Sequence, residues 1–181
     1  MSDTPDTTDT PESSEPAYRG VIVSVVRERW PGAEHLYDVV RHPGAAAVLP
    51  VTPTGEVLLV RQFRPAIRQT LVEMPAGLLD VDGEDALSCA ARELLEETGY
   101  RHTSIEFLGG IFTSAGFSDE YVHLFWARTE AEPARDPEEG IELVRTPFAE
   151  MAAAAKAGRV RDAKTCVALL LGEARGVANL G

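Results

Sequence analysis

The sequence predicts a mixed α/β (α+β) protein built on a mixed β-sheet. Many short apolar runs are bounded by Gly and Pro residues, which is typical of strands. One acidic, amphipathic segment is embedded among these runs and has the spacing of a helix. Two further segments, 148–158 and 162–175, predict helices near the C-terminus. A chain with one helix between its strands and two helices after them favours a mixed sheet packed with helices.

Length and charge limit the possible functions. The chain has 181 residues, enough for one domain with a substantial core. Its net charge of -12 argues against nucleic acid and against an anionic membrane surface as partners, since both attract basic proteins. No signal peptide or membrane-length apolar stretch is visible, and the two cysteines lie far apart. We therefore expect a cytoplasmic protein that binds a small molecule.

The N-terminal part divides into a tail and a strand-rich segment. Residues 1–16 contain Asp, Glu, Thr, Ser and Pro in place of large apolar residues, so we predict a disordered tail. Residues 17–181 are then a single domain. Apolar runs predict strands at 18–26 and 36–40, separated by the Pro31-Gly32 break.

The central part predicts a buried strand and its hairpin partner. Residues 45–51 form a continuous apolar run, as expected for a strand that is buried on both faces. Turn residues at 53–55 and an apolar run at 57–60 predict a hairpin. A short strand at 70–74 ends at the turn 75–77. Later strands are predicted at 104–112, 121–127 and 141–144, with a loop at 113–120.

The chain is organised around the acidic helix that follows this turn. We predict its N-cap at Asp82 or Gly83, with Glu84 and Asp85 in the first turn, where carboxylates are favourable. Gly99 suits the position just past its C-terminus. The helix therefore ends in a run of carboxylates, close to its negative pole.

Three of these carboxylates, Glu93, Glu96 and Glu97, are spaced to share one helix face. Like charges at this spacing destabilise a helix, so a solvated surface is one interpretation and a cation site is the other. Oxygen ligands suit Mg²⁺ or Mn²⁺ better than zinc. Cations held in this way stabilise displacement at a pyrophosphate. A second acidic loop, ending at Glu120, can reach the same site.

These residues resemble a known family motif. Gly77, Glu84 and the segment RELLEETGY at 92–100 resemble the Nudix box, G-x5-E-x7-R-E-U-x-E-E-x-G-U, in which U is aliphatic or aromatic. Every fixed position matches from Glu84 onward, whereas six residues, and not five, separate Gly77 from Glu84. The resemblance implies a Nudix-type α/β/α sandwich and a Mg²⁺- or Mn²⁺-dependent pyrophosphohydrolase.

The flanking segments resemble the ADP-ribose pyrophosphatase branch of that family. They are E-x-P-A-G at 73–77, R-Q-[YF]-R at 61–64 and G-[FY]-[ST]-x-E at 116–120, although Ala115 stands where a proline is usual. The branch implies hydrolysis of ADP-ribose to AMP and ribose 5-phosphate. A sugar nucleotide, a dinucleotide coenzyme, an oxidised nucleotide or a catalytically silent nucleotide-sensing module are the alternatives. The branch also implies a homodimer that exchanges N-terminal strands.

The resemblance assigns metal-binding and catalytic roles. It implies that Glu93, Glu97, Glu96 and the main-chain carbonyl of Ala76 hold the metal. Glu120 is the expected general base, or a ligand that moves in with the substrate, on a mobile loop that completes the site when substrate binds. Glu96 and Glu97 are the other catalytic carboxylates.

Further residues are expected around this centre. Arg92 is four residues before Glu96 and is expected to orient it through an ion pair. Glu84 is expected to hold the loop against the helix. His42 and His123 lack metal-ligand spacing and are interpreted as structural, and the lone aromatic residues Tyr18, Trp30 and Phe63 as core in preference to base-stacking. The candidate substrate-binding residues are Arg64, Arg41, Glu73 and Phe117.

Overall fold

A computed structural model describes residues 10–177 of the chain. Within this range the chain forms ten strands and three helices. The strands are β1 (Ser13–Arg19), β2 (Ser24–Arg29), β3 (Tyr37–Arg41), β4 (Ala45–Val51), β5 (Glu56–Arg64), β6 (Gln69–Glu73), β7 (Ala76–Leu78), β8 (His102–Phe112), β9 (Tyr121–Thr129) and β10 (Glu142–Pro147), and the helices are α1 (Ala86–Thr98), α2 (Phe148–Lys156) and α3 (Ala163–Ala174).

A seven-stranded mixed sheet forms the centre of the fold. Five of its strands follow the order β10-β5-β4-β9-β8, while β6 pairs with β5 and β7 pairs with β4. Strand β4 is parallel to β9 and antiparallel to β5 and β7. All seven of its residues are buried, which confirms the strand predicted from the continuous apolar run.

Helices pack on both faces of this sheet. Successive residues of a strand point to opposite faces, so β4 contributes to two separate cores. One core joins Ala46 and Val48 to α1 through Cys89, Ala90 and Leu94. The other joins Ala45, Ala47 and Leu49 of β4 to α2 and α3 through Phe148, Ala168 and Leu169. The expected α/β fold, with a mixed sheet between layers of helices, is confirmed.

The N-terminal strands form a separate three-stranded antiparallel sheet in the order β1-β2-β3. Residues 13–16, which we assigned to the disordered tail, form the start of β1 and pair with β2. All residues of β1 are exposed, so its backbone pairing leaves no apolar signal in the sequence. The Gly20 N–H donates to the Val23 carbonyl at 2.8 Å, and this turn divides the strand predicted at 18–26. Residues 1–9 of the expected tail lie outside the described residues.

Helix α1 begins later than predicted. Its N-cap is Asp85, whose side chain accepts the Ser88 N–H at 2.7 Å, and neither Asp82 nor Gly83. Asp85 has extended backbone angles and precedes the helix, so neither Glu84 nor Asp85 lies in the first turn. Gly99 ends the helix with a φ of 78°, as predicted.

The remaining elements differ little from the prediction. Strands β4 and β5 form the expected hairpin, with Val51 opposite Val57. The polar segment 61–64 continues β5 and pairs with β6. The two C-terminal helices are present as α2 and α3. A search of residues 10–177 finds no helix that is long and apolar enough to span a membrane.

Candidate active site

The acidic face of α1 lies against β7. A Cβ atom on Gly77 would lie only 1.8 Å from Glu93 Oε1, so the carboxylate occupies the space that any other side chain would take. The Ala76 N–H donates to Glu97 Oε2 at 3.2 Å. Pairing with β4, Ala76 opposite Ala47, holds this short strand in place. The turn predicted at 75–77 is wrong: Ala76 and Gly77 begin the strand β7, which pairs with β4 and is in direct contact with two of the three same-face carboxylates.

Burial raises the proton affinity of both carboxylates. The Glu97 residue is 7% exposed. Its burial, followed by the negative charge of Glu93, raises the pKa of Glu97 to about 7. Burial also raises the pKa of Glu93, against the opposing effect of Arg92. Burial and mutual repulsion make the two negative charges unfavourable, and a nearby cation would offset both. Carboxylate oxygens suit a hard divalent ion such as Mg²⁺.

Arg92 binds three glutamates of the motif. Its Nη1 donates to Glu93 Oε1 at 2.6 Å and to Glu96 Oε2 at 2.9 Å. Its Nε and Nη2 donate to the two oxygens of Glu84, both at 2.9 Å. The expected ion pair with Glu96 is confirmed, and Glu84 holds the preceding loop to the helix through Arg92.

The additional residue before Glu84 is accommodated by a turn. The Glu84 N–H donates to the Val81 carbonyl at 3.1 Å, and Gly83 has a φ of 80°. No atom lies within 4 Å of a Cβ built on Gly83, so the turn projects into open space. The longer loop therefore leaves both Glu84 oxygens on Arg92.

The predicted metal ligands lie together on α1 and β7. Across the part of the chain that the structure describes, no three His, Cys, Asp or Glu side chains already converge on one point as metal ligands do. Glu93 and Glu96 point to Arg92, and Glu97 points to Ala76. The donor set fits a divalent cation, provided that these carboxylates turn from their protein partners toward a common centre.

Glu120 stands at the end of the sheet where β4 and β9 begin and β7 ends. It directly precedes β9, in which Val122 pairs with Ala45, and Ala45 pairs on its other side with Leu78 of β7. Two strand spacings of about 4.8 Å therefore separate β7 from β9. Glu120 Oε2 accepts a hydrogen bond from Thr113 Oγ1 at 2.6 Å, and Glu120 Oε1 lies 3.6 Å from His42 Nε2. His42, expected to be only structural, contacts the predicted base.

Arg41 fixes the loop that carries Glu120. Its guanidinium donates to Asp119 Oδ2 at 3.0 Å and to Glu28 Oε1 at 2.5 Å. The His42 N–H donates to the other Asp119 oxygen at 2.8 Å. The structure therefore places this candidate substrate-binding arginine between two carboxylates, where it joins β3 to the loop at 113–120.

A cavity of about 530 Å³ opens beside this loop. Phe117, a candidate substrate-binding residue, lies on its wall and is largely exposed. The expectation that Trp30, Tyr18 and Phe63 belong to the core is wrong. Trp30 is half-buried and lines the cavity, whereas Tyr18 and Phe63 are exposed on strands that have an uncovered face. The aromatic and acidic lining residues are Trp30, Tyr37, Phe112, Phe117 and Asp119.

Arg64 and Glu73, both predicted to bind substrate, bind each other. Arg64 Nε donates to Glu73 Oε1 at 2.8 Å and Arg64 Nη2 to Glu73 Oε2 at 2.7 Å. Lys164 Nζ donates to the same Oε2 at 2.5 Å. Because the Glu73 side chain is 1% exposed, the structure places it behind Arg64 as a buried partner.

Sequence reasoning missed Lys164, Asp119 and Thr113. Only Lys164 has a local signal in the sequence. It lies between Asp162 and Thr165, which form the N-cap pattern that starts α3. Lys164 meets Glu73 across 91 residues of chain, and Asp119 meets Arg41 across 78. No pattern within one segment can reveal contacts at such separations.

Comparison with known proteins agrees with this geometry. Residues 40–168 match the NUDIX domain. The chain is 39% identical over 136 residues to the ADP-ribose pyrophosphatase of Bacillus subtilis (strain 168) and 38% identical over 136 residues to the methanol dehydrogenase activator of Bacillus methanolicus, in each case across 73% of both chains. It is 34% identical over 169 residues to the GDP-mannose pyrophosphatase of Yersinia enterocolitica, across 87% of this chain and 83% of the relative. The chain therefore belongs to the Nudix family of pyrophosphohydrolases.

Proposed function

We propose that this Nudix hydrolase cleaves the pyrophosphate bond of ADP-ribose in the presence of Mg²⁺, giving AMP and ribose 5-phosphate. The observation that carries the reaction class is the placement of Glu93 and Glu97 against β7, where burial raises both pKa values. The choice of ADP-ribose draws on the flanking motifs and on the Bacillus subtilis relative, which is an ADP-ribose pyrophosphatase.

Four groups would hold the cations: the carboxylates of Glu93, Glu96 and Glu97 and the carbonyl of Ala76. When bound, Mg²⁺ or Mn²⁺ neutralises the pyrophosphate charge and acidifies the attacking water. The contact with Gly77 and the Ala76 N–H orient Glu93 and Glu97. Arg92 holds the side chain of Glu96 beside that of Glu93, because its Nη1 donates to both carboxylates.

Glu120 removes the proton from the attacking water in this proposal. Its carboxylate is partly exposed, on a loop between two strands, and is held by Thr113 and His42. A carboxylate on a loop can approach the reacting atoms when substrate binds. Glu96 and Glu97 are the alternative bases, because both lie on the helix face that holds the cations.

Two arginines and an aromatic cavity recognise the substrate. Arg64 is half-exposed and is held by Glu73, so its outer edge is available for a phosphate. Arg41 stands beside the loop of Glu120 and is the second phosphate candidate. The nucleobase enters the cavity and stacks on Phe117 or Trp30. Asp119 lines that cavity and directly precedes Glu120, which connects base recognition to the reacting centre.

The experiment is a substrate comparison with the full chain. Reactions with Mg²⁺ contain ADP-ribose, GDP-mannose, a dinucleotide coenzyme or an oxidised nucleotide, and the products are separated by chromatography. We expect the highest kcat/KM for ADP-ribose, with AMP and ribose 5-phosphate as products. A higher kcat/KM for another compound contradicts the substrate assignment. No turnover of any compound would identify a catalytically silent module.

GDP-mannose is the second candidate substrate. The Yersinia enterocolitica relative, a GDP-mannose pyrophosphatase, aligns with 87% of this chain, a larger share than the ADP-ribose pyrophosphatase of Bacillus subtilis. Both compounds are nucleoside diphosphates that carry a sugar, so the same carboxylates and arginines serve either one. ADP-ribose and GDP-mannose differ in their sugar and their base. The substrate comparison measures directly which of the two the enzyme prefers.

We also propose that the protein is a cytoplasmic homodimer. The match to the NUDIX domain starts at residue 40, so β1 and β2 precede it. Strand β1 is exposed along its whole length, and Val21 and Ile22 at the adjoining turn are exposed as well. A second copy that packs on this sheet would cover these residues. Light scattering tests the proposal, and a monomeric mass at micromolar concentration contradicts it.

A further inference from the structure

A polar cluster at the start of α3 contains a lysine that the proposed reaction does not use. Lys164 is the second residue of α3, and its side chain is 13% exposed. Its Nζ lies 2.5 Å from Glu73 Oε2 and 2.9 Å from Asp162 Oδ1. Removing an ammonium group from water is costly unless carboxylates bind it. The contacts with Glu73 and Asp162 therefore hold Lys164 in this position.

Lys164 and Arg64 share one carboxylate. Glu73 Oε1 accepts from Arg64 Nε, and Glu73 Oε2 accepts from both Arg64 Nη2 and Lys164 Nζ. The two bonds of Arg64 use two of the five N–H donors of a guanidinium, and the side chain is 41% exposed. Glu73 thus fixes the inner edge of Arg64, while the outer edge keeps donors for an anion.

The first turn of α3 is fastened to the strand that carries Glu73. The Met74 N–H donates to Thr165 Oγ1 at 2.8 Å, and Thr165 in turn binds the capping residue Asp162 through its N–H at 3.0 Å. Met74 and Thr165, the residues that follow Glu73 and Lys164, are therefore hydrogen-bonded to each other as well. This arrangement gives Lys164 a fixed position relative to β6.

The cluster adjoins the carboxylates of α1. Only three residues lead from Glu73 to Ala76, whose N–H binds Glu97, and three residues span about 10 Å at most. The charges of Arg64, Lys164, Glu73 and Asp162 cancel. Loss of Lys164 leaves one net negative charge next to the place where an anionic pyrophosphate binds.

We propose that Lys164 is a positioning residue for the pyrophosphate. By sharing Glu73 with Arg64, it keeps the guanidinium oriented and offsets the carboxylate charge that would otherwise oppose an incoming phosphate. This inference rests on the proposed function, because it takes a nucleoside diphosphate as the ligand of Arg64.

The first measurement is equilibrium binding of the α,β-methylene analogue of ADP-ribose to the full chain with Mg²⁺, by calorimetry. Lys164→Met should raise Kd about tenfold, within the range of coupling seen in ion-pair networks. Lys164→Arg, which keeps the charge, should restore most of the affinity. Lys156→Met is the matched control, because Lys156 pairs with Glu173 at an exposed position between α2 and α3. Its Kd should equal that of the unaltered chain.

The second measurement repeats Lys164→Met in an Arg64→Met background. If Lys164 acts by orienting Arg64 as well as by its charge, Lys164→Met should raise Kd by a smaller factor in this background, less than about threefold, because only the charge effect of Lys164 then remains. An undiminished loss in that background, or a Lys164→Arg variant as weak as Lys164→Met, overturns the proposal. Thermal unfolding verifies that each variant is folded. If Lys164→Met does not fold, Lys164→Gln takes its place.

The same samples separate this inference from the proposed function. Analogue binding together with failure to hydrolyse ADP-ribose overturns the proposed function, and the effect of Lys164 on Kd still supports or overturns the positioning role. If the unaltered chain binds neither the ADP-ribose analogue nor the corresponding analogue of GDP-mannose, both proposals are overturned.

Discussion

Gly77 and Glu93 approach so closely that a methyl group on Gly77 would lie 1.8 Å from Glu93 Oε1 and 2.2 Å from its carboxyl carbon. Gly77 is not among the described glycines with positive φ, so its backbone does not require glycine. The requirement comes from the opposing helix. A carboxylate of α1 fills the space above β7, and this contact sets the distance between the helix and the strand.

Gly77→Ala should therefore displace Glu93 and disable the site. Displacement of a reacting group by about 1 Å can cost about a hundredfold in rate, and overpacking costs about 1–3 kcal/mol of stability. We expect a kcat loss of this size together with a modest fall in Tm. Gly116→Ala is the control for folding, because no atom lies within 4 Å of its added Cβ, and its Tm should not change. An unchanged kcat in Gly77→Ala would show that Glu93 is not placed by this contact.

Arg92→Met should destabilise the protein more strongly without Mg²⁺ than with it. Arg92 is the shared partner of Glu84, Glu93 and Glu96, so its loss leaves three carboxylates close together. We expect a loss of about 2 kcal/mol in EDTA, as for charge-assisted hydrogen bonds that lose one partner. A divalent cation at Glu93 and Glu96 should recover part of it. Thermal unfolding in EDTA and in Mg²⁺ measures both quantities, and an equal loss in the two buffers contradicts a cation at this face.

Glu97 should make the metal-free protein less stable as pH rises. Its pKa is raised from 4.5 to about 7 in the folded chain, chiefly by burial. Between these values the folded chain holds a proton that the unfolded chain releases, so stability falls through this window by at most about 3 kcal/mol. Glu97→Gln removes this dependence. Urea unfolding in EDTA should show the variant gaining stability relative to wild type from pH 4.5 to about pH 8. A constant difference between the two proteins contradicts the shift.

Asp119→Ala should lower activity through the position of the Glu120 loop. Asp119 accepts hydrogen bonds from Arg41 Nη1 at 3.0 Å and from the His42 N–H at 2.8 Å. Both bonds connect the loop to the end of β3. We expect kcat/KM to fall about tenfold, because the loop that carries the proposed general base, Glu120, is then less well placed. Asp38→Ala is the matched control, since Asp38 pairs with Arg27 on the exposed face of the same sheet. Equal activities of the two variants would show that the Asp119 contacts do not position Glu120.

Much of the fold follows from local patterns. The apolar run of β4, the hairpin that leads to β5 and the glycine at the end of α1 are each encoded within a few residues, and the structure has all three. The same holds for the acidic face of α1 and for the ion pair between Arg92 and Glu96, since helix spacing alone places them together. The start of β1 was missed because an exposed strand leaves no apolar pattern in the sequence.

The candidate site is predictable only in part, because its remaining contacts join distant segments. Spacing along α1 shows that Glu93 and Glu97 share a face, yet it cannot show that Gly77 and the Ala76 N–H lie against them. Glu73 provides a second example. Its motif suggests a substrate contact, while the structure shows both of its oxygens bound by Arg64 and Lys164.

We infer that the buried carboxylates of α1 give this chain a cation-dependent pyrophosphohydrolase activity. The most direct measurement is the initial rate of AMP formation from ADP-ribose at saturating Mg²⁺, compared between the unaltered chain and Glu97→Gln. Glu97 is buried beside β7, and its amide analogue keeps the shape but loses the charge. We predict that kcat falls by about a hundredfold to ten-thousandfold, as for the loss of an essential charged group in a site, with Tm in EDTA unchanged or higher. A Glu97→Gln variant that forms AMP at the wild-type rate would show that Glu97 is not needed for hydrolysis.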